Sequence, residues 1–233
     1  MKKSSKFYFI ITSLFLSVFT AFTVIVSFVD VKTIGPNQSS VGLSCINRPI
    51  FKFFKENTFW DMLSDILLVI ALLTAILFVV IGVIQFIKRK SIFAVDSEIL
   101  ALSILYITTI IVFIIFELLV INYRPVLVDG KLEASYPSTH ILVVLSILLS
   151  TAMIIKKFIK KDTIRIILQS TLLLLSIFTI VARIVSGIHW FTDIIGAILL
   201  SLTLLSFFKS LLVSCCTDSE NTKIIEKEKQ EEV

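Results

Sequence analysis

Six side chains in this sequence have the types and spacing to work on a phosphate group. Arg124, Ser138, His140, Arg183, His189 and Asp193 lie in three short segments: Tyr123-Arg124-Pro125, Tyr136-Pro137-Ser138-Thr139-His140, and Arg183 through His189 to Asp193. The two guanidiniums offer planar forks of donors that match phosphate oxygens, and the serine hydroxyl adds to them. The two histidines are the only ones in the chain. Together they supply a nucleophile and a general acid, because a ring nitrogen attacks phosphorus and an imidazolium protonates a departing oxygen. His189 and Asp193 are four apart and share a helix face, so the carboxylate is expected to accept the proton of one ring nitrogen and leave the other free. Such catalysis rests on positioning and electrostatic stabilisation, and with cations and donors fixed in place it needs no metal and no cofactor.

These segments resemble, in order and spacing, the three-part signature of the type 2 phosphatidic acid phosphatase family. That signature has a lysine six residues before Arg-Pro, then Pro-Ser-Gly-His, then Ser-Arg, five residues, His, three residues and Asp. Here it reads Arg124-Pro125, Pro137-Ser138-Thr139-His140, and Arg183-IVSGI-His189-WFT-Asp193. The resemblance implies that His189 attacks phosphorus and forms a phosphohistidine, that Asp193 orients it, and that His140 protonates the leaving group and later activates water. Arg124, Ser138, the backbone N–H of Thr139, and Arg183 would hold the phosphate oxygens.

Three positions depart from the signature: Glu117 stands at the lysine, Thr139 at the glycine, and Ala182 at the serine before the second arginine. Threonine keeps the backbone donor, and the lost hydroxyl weakens phosphate binding by about 1–2 kcal/mol. Glu117 matters more, because an ionised carboxylate repels a phosphate dianion unless a neighbouring cation pairs with it. Two readings stand. Either Glu117 pairs with Arg124 or Arg183 while Lys131 replaces the missing positive charge, or activity is reduced or lost.

The elements that must position these residues are membrane helices. The chain has 233 residues, 57% of them apolar and 17% charged, against roughly 45–50% and 25% for a soluble domain. Its mean hydropathy is +1.00, so this is not a soluble enzyme. Three cysteines are too few for a disulfide scaffold, and two histidines with no nearby cysteine make no zinc site. The net charge of +5 does not indicate a nucleic-acid partner, because the basic residues interrupt apolar runs instead of lining one solvated face.

Charge-free runs of 23 residues after Lys6 and 22 residues after Asp65 are each long enough to cross a bilayer. Four shorter runs, Ile99 to Phe116, Ile141 to Ile155, Ile166 to Ala182 and Ile194 to Phe208, end at ionisable residues. Helices of roughly 20 residues there must carry polar groups at their ends. The expected fold is therefore all-α, an integral membrane bundle of six transmembrane helices over residues 1–213 with a charged tail over 214–233. Fifteen of the 22 Lys and Arg residues fall in the segments that would be cytoplasmic if both termini are inside, which puts the termini in the cytoplasm and all three motif segments on the outer face.

Several smaller expectations accompany this plan. The basic start reads as an uncleaved first span, since its apolar region is too long for a signal peptide. PIFKFFKENTFW reads as an interfacial stretch, a connector more than a cover for the site. Trp60, Trp190, Tyr123 and Tyr136 read as interfacial anchors, and Asp129 and Glu133 as solvated loop charges. Cys215 and Cys216 end the last span. The partners expected are the bilayer and a lipid substrate, with a bacterial plasma membrane as the setting. The reaction implied is hydrolysis of a lipid phosphomonoester or isoprenoid pyrophosphate. A non-catalytic lipid-phosphate binder or transporter, and a phosphotransferase using the same histidine, remain as alternatives. Transporters usually place broken helices near the midplane, whereas these polar groups cluster at one boundary.

Overall fold

The computed structural model describes residues 4–231, with side chains described to Ser214. The expectations for Cys215, Cys216 and the charged tail concern side chains outside that range. The chain is all-helical: α1 (Ser5–Phe28), α2 (Ser44–Phe54), α3 (Thr58–Arg89), α4 (Ser97–Leu118), α5 (Thr139–Ile154), α6 (Asp162–Ser186) and α7 (Phe191–Glu231). All but α2 contain a stretch long and apolar enough to cross a membrane, the last over Phe191–Ser214. Each short apolar run is lengthened by polar residues at its end. Thus α5 takes in His140, α6 runs past Arg183, and α7 begins two residues before Asp193, while the already sufficient run of α3 extends upstream to include Asp61 and Asp65.

Lipid offers no hydrophobic drive for helices to associate, so small side chains and polar contacts decide which faces meet. Over their most apolar windows α5 and α7 are 56% buried, whereas α1 and α6 are 11% buried, so α5 and α7 form the centre. Ser146, Ser150, Ser201 and Ser210 are buried along them, and Ser150 and Ser201 return their hydroxyls to their own helix backbone. Helix α1 packs along α7, and α3, α4 and α6 pack on α5. At one end of the bundle the hydroxyls of Ser5 and Ser214 meet at 2.6 Å. The motif residues gather at the other end, where α3, α5 and α7 begin and α4 and α6 finish.

Helix α2 covers that end. Its Asn47 is buried, donates to the carbonyl of Gly42 and the hydroxyl of Thr192, and accepts from the backbone N–H of Thr192, while Phe53 faces outward. The segment expected to be a connector thus includes the second half of a short helix tied to the start of α7. It closes at Lys55, whose left-handed backbone breaks the helix, and Asn57 then caps α3 by accepting from the Trp60 N–H.

Two of the expected interfacial anchors are instead buried. The hydroxyl of Tyr136 meets that of Thr23 on α1 at 2.8 Å, and its ring stacks on Phe19. Trp190 donates its indole N–H to the carbonyl of Tyr123 and packs on Phe51 of α2. Both polar tips find partners inside the protein, so neither ring needs the bilayer interface. Tyr136 also fills the space beside Gly196, where a Cβ would lie 2.5 Å from the ring. Gly196→Ala should therefore cost about 1–3 kcal/mol by overpacking, seen as a lower unfolding midpoint in detergent. Adding Tyr136→Leu should cost less than the two single changes summed.

Candidate active site

The third motif is shaped by a glycine. Gly187 ends α6 in a left-handed conformation, and a Cβ there would lie 1.9 Å from the Lys55 carbonyl oxygen. The backbone of the α2–α3 connection passes this closely because the Asn57 N–H donates to the Ser186 carbonyl at 2.9 Å. The chain then turns within three residues and begins α7, with Asp193 in its first turn reaching back to accept from the Trp190 N–H at 2.9 Å. That is half of a capping box, formed by a carboxylate at the positive end of the helix.

Asp193 is fully buried and accepts from Ser135, from Asn122 at 3.3 Å and from Thr192 at 3.5 Å as well. Its relation to His189 differs from the direct hydrogen bond expected. The carboxylate lies 3.8 Å from Nδ1, too far for a hydrogen bond. Ser135 stands between them, with its hydroxyl 3.0 Å from Nδ1 while it donates to Asp193. The Ser135 carbonyl, 3.1 Å from the same nitrogen, can only accept, so Nδ1 carries the proton. Nε2 is therefore the unprotonated nitrogen, buried and without a protein partner. Burial first, and the charges of Arg183 and Arg124 next, hold His189 well below the ordinary imidazole value of 6.5. At neutral pH its ring is therefore uncharged.

The arginines are held from outside the motifs. Arg183, with its side chain 1% exposed, donates through Nη1 to Asp61 and to the Ser64 hydroxyl at 2.9 Å, both on α3. Its Nε and Nη2, which form the parallel fork of the guanidinium, are buried with no protein partner. Arg124 pairs with Glu133 at 3.4 Å, and its backbone N–H donates to the Glu133 carbonyl. Its Nε is also buried and unpartnered, as are Ser138 Oγ and His140 Nδ1. Ser138 stands at the N-cap of α5 without using its hydroxyl as a cap, and its N–H donates to the Asp193 carbonyl. The Thr139 N–H follows in the first turn, where helical N–H groups lack intrahelical partners and favour anions. The charges of Arg124 and Arg183 act on both histidines, so these four residues share one electrostatic site.

Glu117 and Lys131 behave otherwise than expected. Glu117 is exposed in the last turn of α4 and lines a narrow crevice with Phe116, Tyr136 and Thr139. The partners anticipated for it are taken, Arg124 by Glu133 and Arg183 by Asp61, and among the described residues Glu117 makes no ion pair. Lys131 is exposed at the tip of a tight hairpin, bonded through its backbone to Val128 across Asp129 and Gly130. Glu133 is no free loop charge, since it holds Arg124.

Sequence reasoning missed Asp61, Ser64, Asp65, Asn122 and Ser135. Asp65 accepts from His140 Nε2 at 2.8 Å. A signal was present: two carboxylates four residues apart at one end of an apolar span are costly there and lie on one helix face.

A family model described as the PAP2 superfamily matches residues 70–214, more than half of the chain. A solved structure described as the first transmembrane PAP2 type phosphatidylglycerolphosphate phosphatase, from Bacillus subtilis, aligns over 89% of this chain and 96% of its own at 17% identity, with a TM-score of 0.58. No curated protein matches the sequence.

Because Asp61 and Ser64 hold Nη1 of Arg183 and so orient its free fork, Asp61→Asn should weaken binding of inorganic phosphate or orthovanadate. A loss of roughly tenfold, about 1.4 kcal/mol, is expected by titration calorimetry; unchanged affinity would mean that Arg183 does not need its partner.

Proposed function

The chain belongs to the PAP2 superfamily, and from that premise we propose that it is a membrane-bound phosphatase that hydrolyses a lipid phosphomonoester or an isoprenoid pyrophosphate through a phosphohistidine. The observation that carries this reading is the set of buried, unpartnered atoms on Arg124, Ser138, His140, Arg183 and His189. Buried polar atoms are nearly always satisfied, and five motif residues that are not, two of them guanidiniums, form a site matched to a tetrahedral anion.

In this mechanism the fork of Arg183, the Arg124 Nε–H, the Ser138 hydroxyl and the Thr139 N–H hold the phosphoryl oxygens. His189 Nε2 attacks phosphorus as the bond to the leaving oxygen breaks, and His140 protonates that oxygen. Water then attacks the phosphohistidine, giving its proton to His140, and inorganic phosphate leaves with His189 restored. Ser135 and Asp193 hold the His189 tautomer throughout.

The bundle geometry supports a lipid substrate, because the site lies at the helix ends, at the depth of a headgroup phosphate. Lys88, Arg89, Lys90, Lys156 and Lys157 end or follow helices at the opposite end, which favours an extracytoplasmic site in a plasma membrane, bacterial in our reading. The substrate named for the Bacillus subtilis structure, phosphatidylglycerolphosphate, falls in the phosphomonoester class.

Purified protein in detergent with EDTA should release phosphate from phosphatidate or undecaprenyl pyrophosphate, and His189→Ala should lower kcat by about 10³-fold or more. Release that needs added divalent metal, or that survives the substitution, overturns the mechanism. Lys131→Ala should leave kcat/KM within about twofold, since an exposed ammonium is screened. Glu117→Lys should lower KM by placing a cation near the start of α5. A tenfold loss in Lys131→Ala would instead make it the substitute for the signature's lysine.

A further inference from the structure

The geometry points to Asp65 as the residue that positions His140 and keeps its Nδ1 ready to protonate the leaving oxygen. This inference rests on the phosphatase reading above.

The two nitrogens of His140 have different surroundings. Nε2 lies 2.8 Å from the Asp65 carboxylate, which only accepts, so Nε2 carries a hydrogen in either charge state. Nδ1 is buried with no protein partner. The ring therefore has one free working atom, Nδ1, and that atom is protonated only in the imidazolium. A carboxylate on the far nitrogen favours the imidazolium and fixes the ring plane.

Around His140 stand Arg183 from α6, Arg124 from the α4–α5 connection and His189 from the α6–α7 turn. Asp61 and Asp65, both from α3, are the carboxylates on its side. Asp61 is committed to Arg183, whereas Asp65 touches the imidazole itself. One face of the first two turns of α3 thus orients a phosphate-binding arginine through Asp61 and Ser64, and the acid through Asp65. These positions precede residue 70, where the family match begins.

In the first step the phosphorus–Nε2 bond to His189 forms, the phosphorus–oxygen bond to the leaving group breaks, and that oxygen takes the proton from His140 Nδ1. His140 is left neutral with its Nε2 hydrogen on Asp65. In the second step water attacks phosphorus, its proton goes to Nδ1, and the phosphorus–nitrogen bond breaks. A poor leaving group needs the first proton far more than a good one does.

The test compares phosphatidate, an alkoxide leaving group, with p-nitrophenyl phosphate in purified full-length protein. In Asp65→Asn, kcat for phosphatidate should fall about 30–100-fold, at least tenfold more than for p-nitrophenyl phosphate, with KM little changed. The basic limb of the pH profile should move to lower pH by about one unit, because the imidazolium is lost sooner. Added to His140→Ala, the change should cost nothing further. Equal losses on both substrates, or a full additional loss in the His140→Ala background, overturn the inference.

A readout independent of activity is available because His189→Gln leaves His140 as the only histidine. Nitrogen-15 NMR should then show the neutral ring with its hydrogen on Nε2, and Asp65→Ala should mix the tautomers and lower the titration midpoint. Unchanged spectra overturn the inference. Expected spectra from a protein whose wild type hydrolyses neither substrate would support the pairing and count against the phosphatase reading.

Discussion

A buried carboxylate organises this end of the molecule. Asp193 has no solvent to stabilise it, so its charge depends on donors supplied by the protein. They come from Ser135 and Asn122 in the α4–α5 connection, and from Trp190 and Thr192 at the start of α7. Thr192 in turn binds Asn47 of α2, and the Asp193 carbonyl accepts from Ser138 at the start of α5. One acid thereby ties four segments together and fixes the distance between the two histidine-bearing helix ends. Its hold on His189 passes through Ser135, whose hydroxyl and carbonyl both meet Nδ1.

The membrane setting explains why so much polarity lies in one place. Within a bilayer, charged groups are tolerated at helix ends or inside the protein, where they find partners. Six spans with alternating direction bring the starts of α3, α5 and α7 and the ends of α4 and α6 to one boundary. Arg183, Asp61, His140 and Asp65 can all be polar there because each has a partner on a neighbouring helix. Helix α2 packs over the start of α7 through Asn47 and Phe51, against the buried Trp190.

Much of this was legible in the sequence because the relevant signals are local. Hydropathy over about 20 residues marks a span whatever it packs against. Arg183, His189 and Asp193 lie within a dozen residues of one another, so their spacing carries information directly. The helix ends were legible for the same reason: runs too short to span had to borrow the polar residues beside them, as α5 did with His140 and α6 with Arg183.

What the sequence determined, then, is the six-span all-helical plan, set by composition and hydropathy, and the three short motif segments, whose residue types and spacing are local. The tertiary structure decided the partners. Asp61 meets Arg183 across 122 positions and Asp65 meets His140 across 75. Ser135 interposes itself between two residues that a helical spacing would have joined directly. Glu133, and not Glu117, holds Arg124, and Tyr136 and Trp190 are packed inside instead of anchored in lipid. Each of these depends on which faces of separate helices meet, and in a membrane that is settled by close packing and polar complementarity, which leave no periodic trace in the chain.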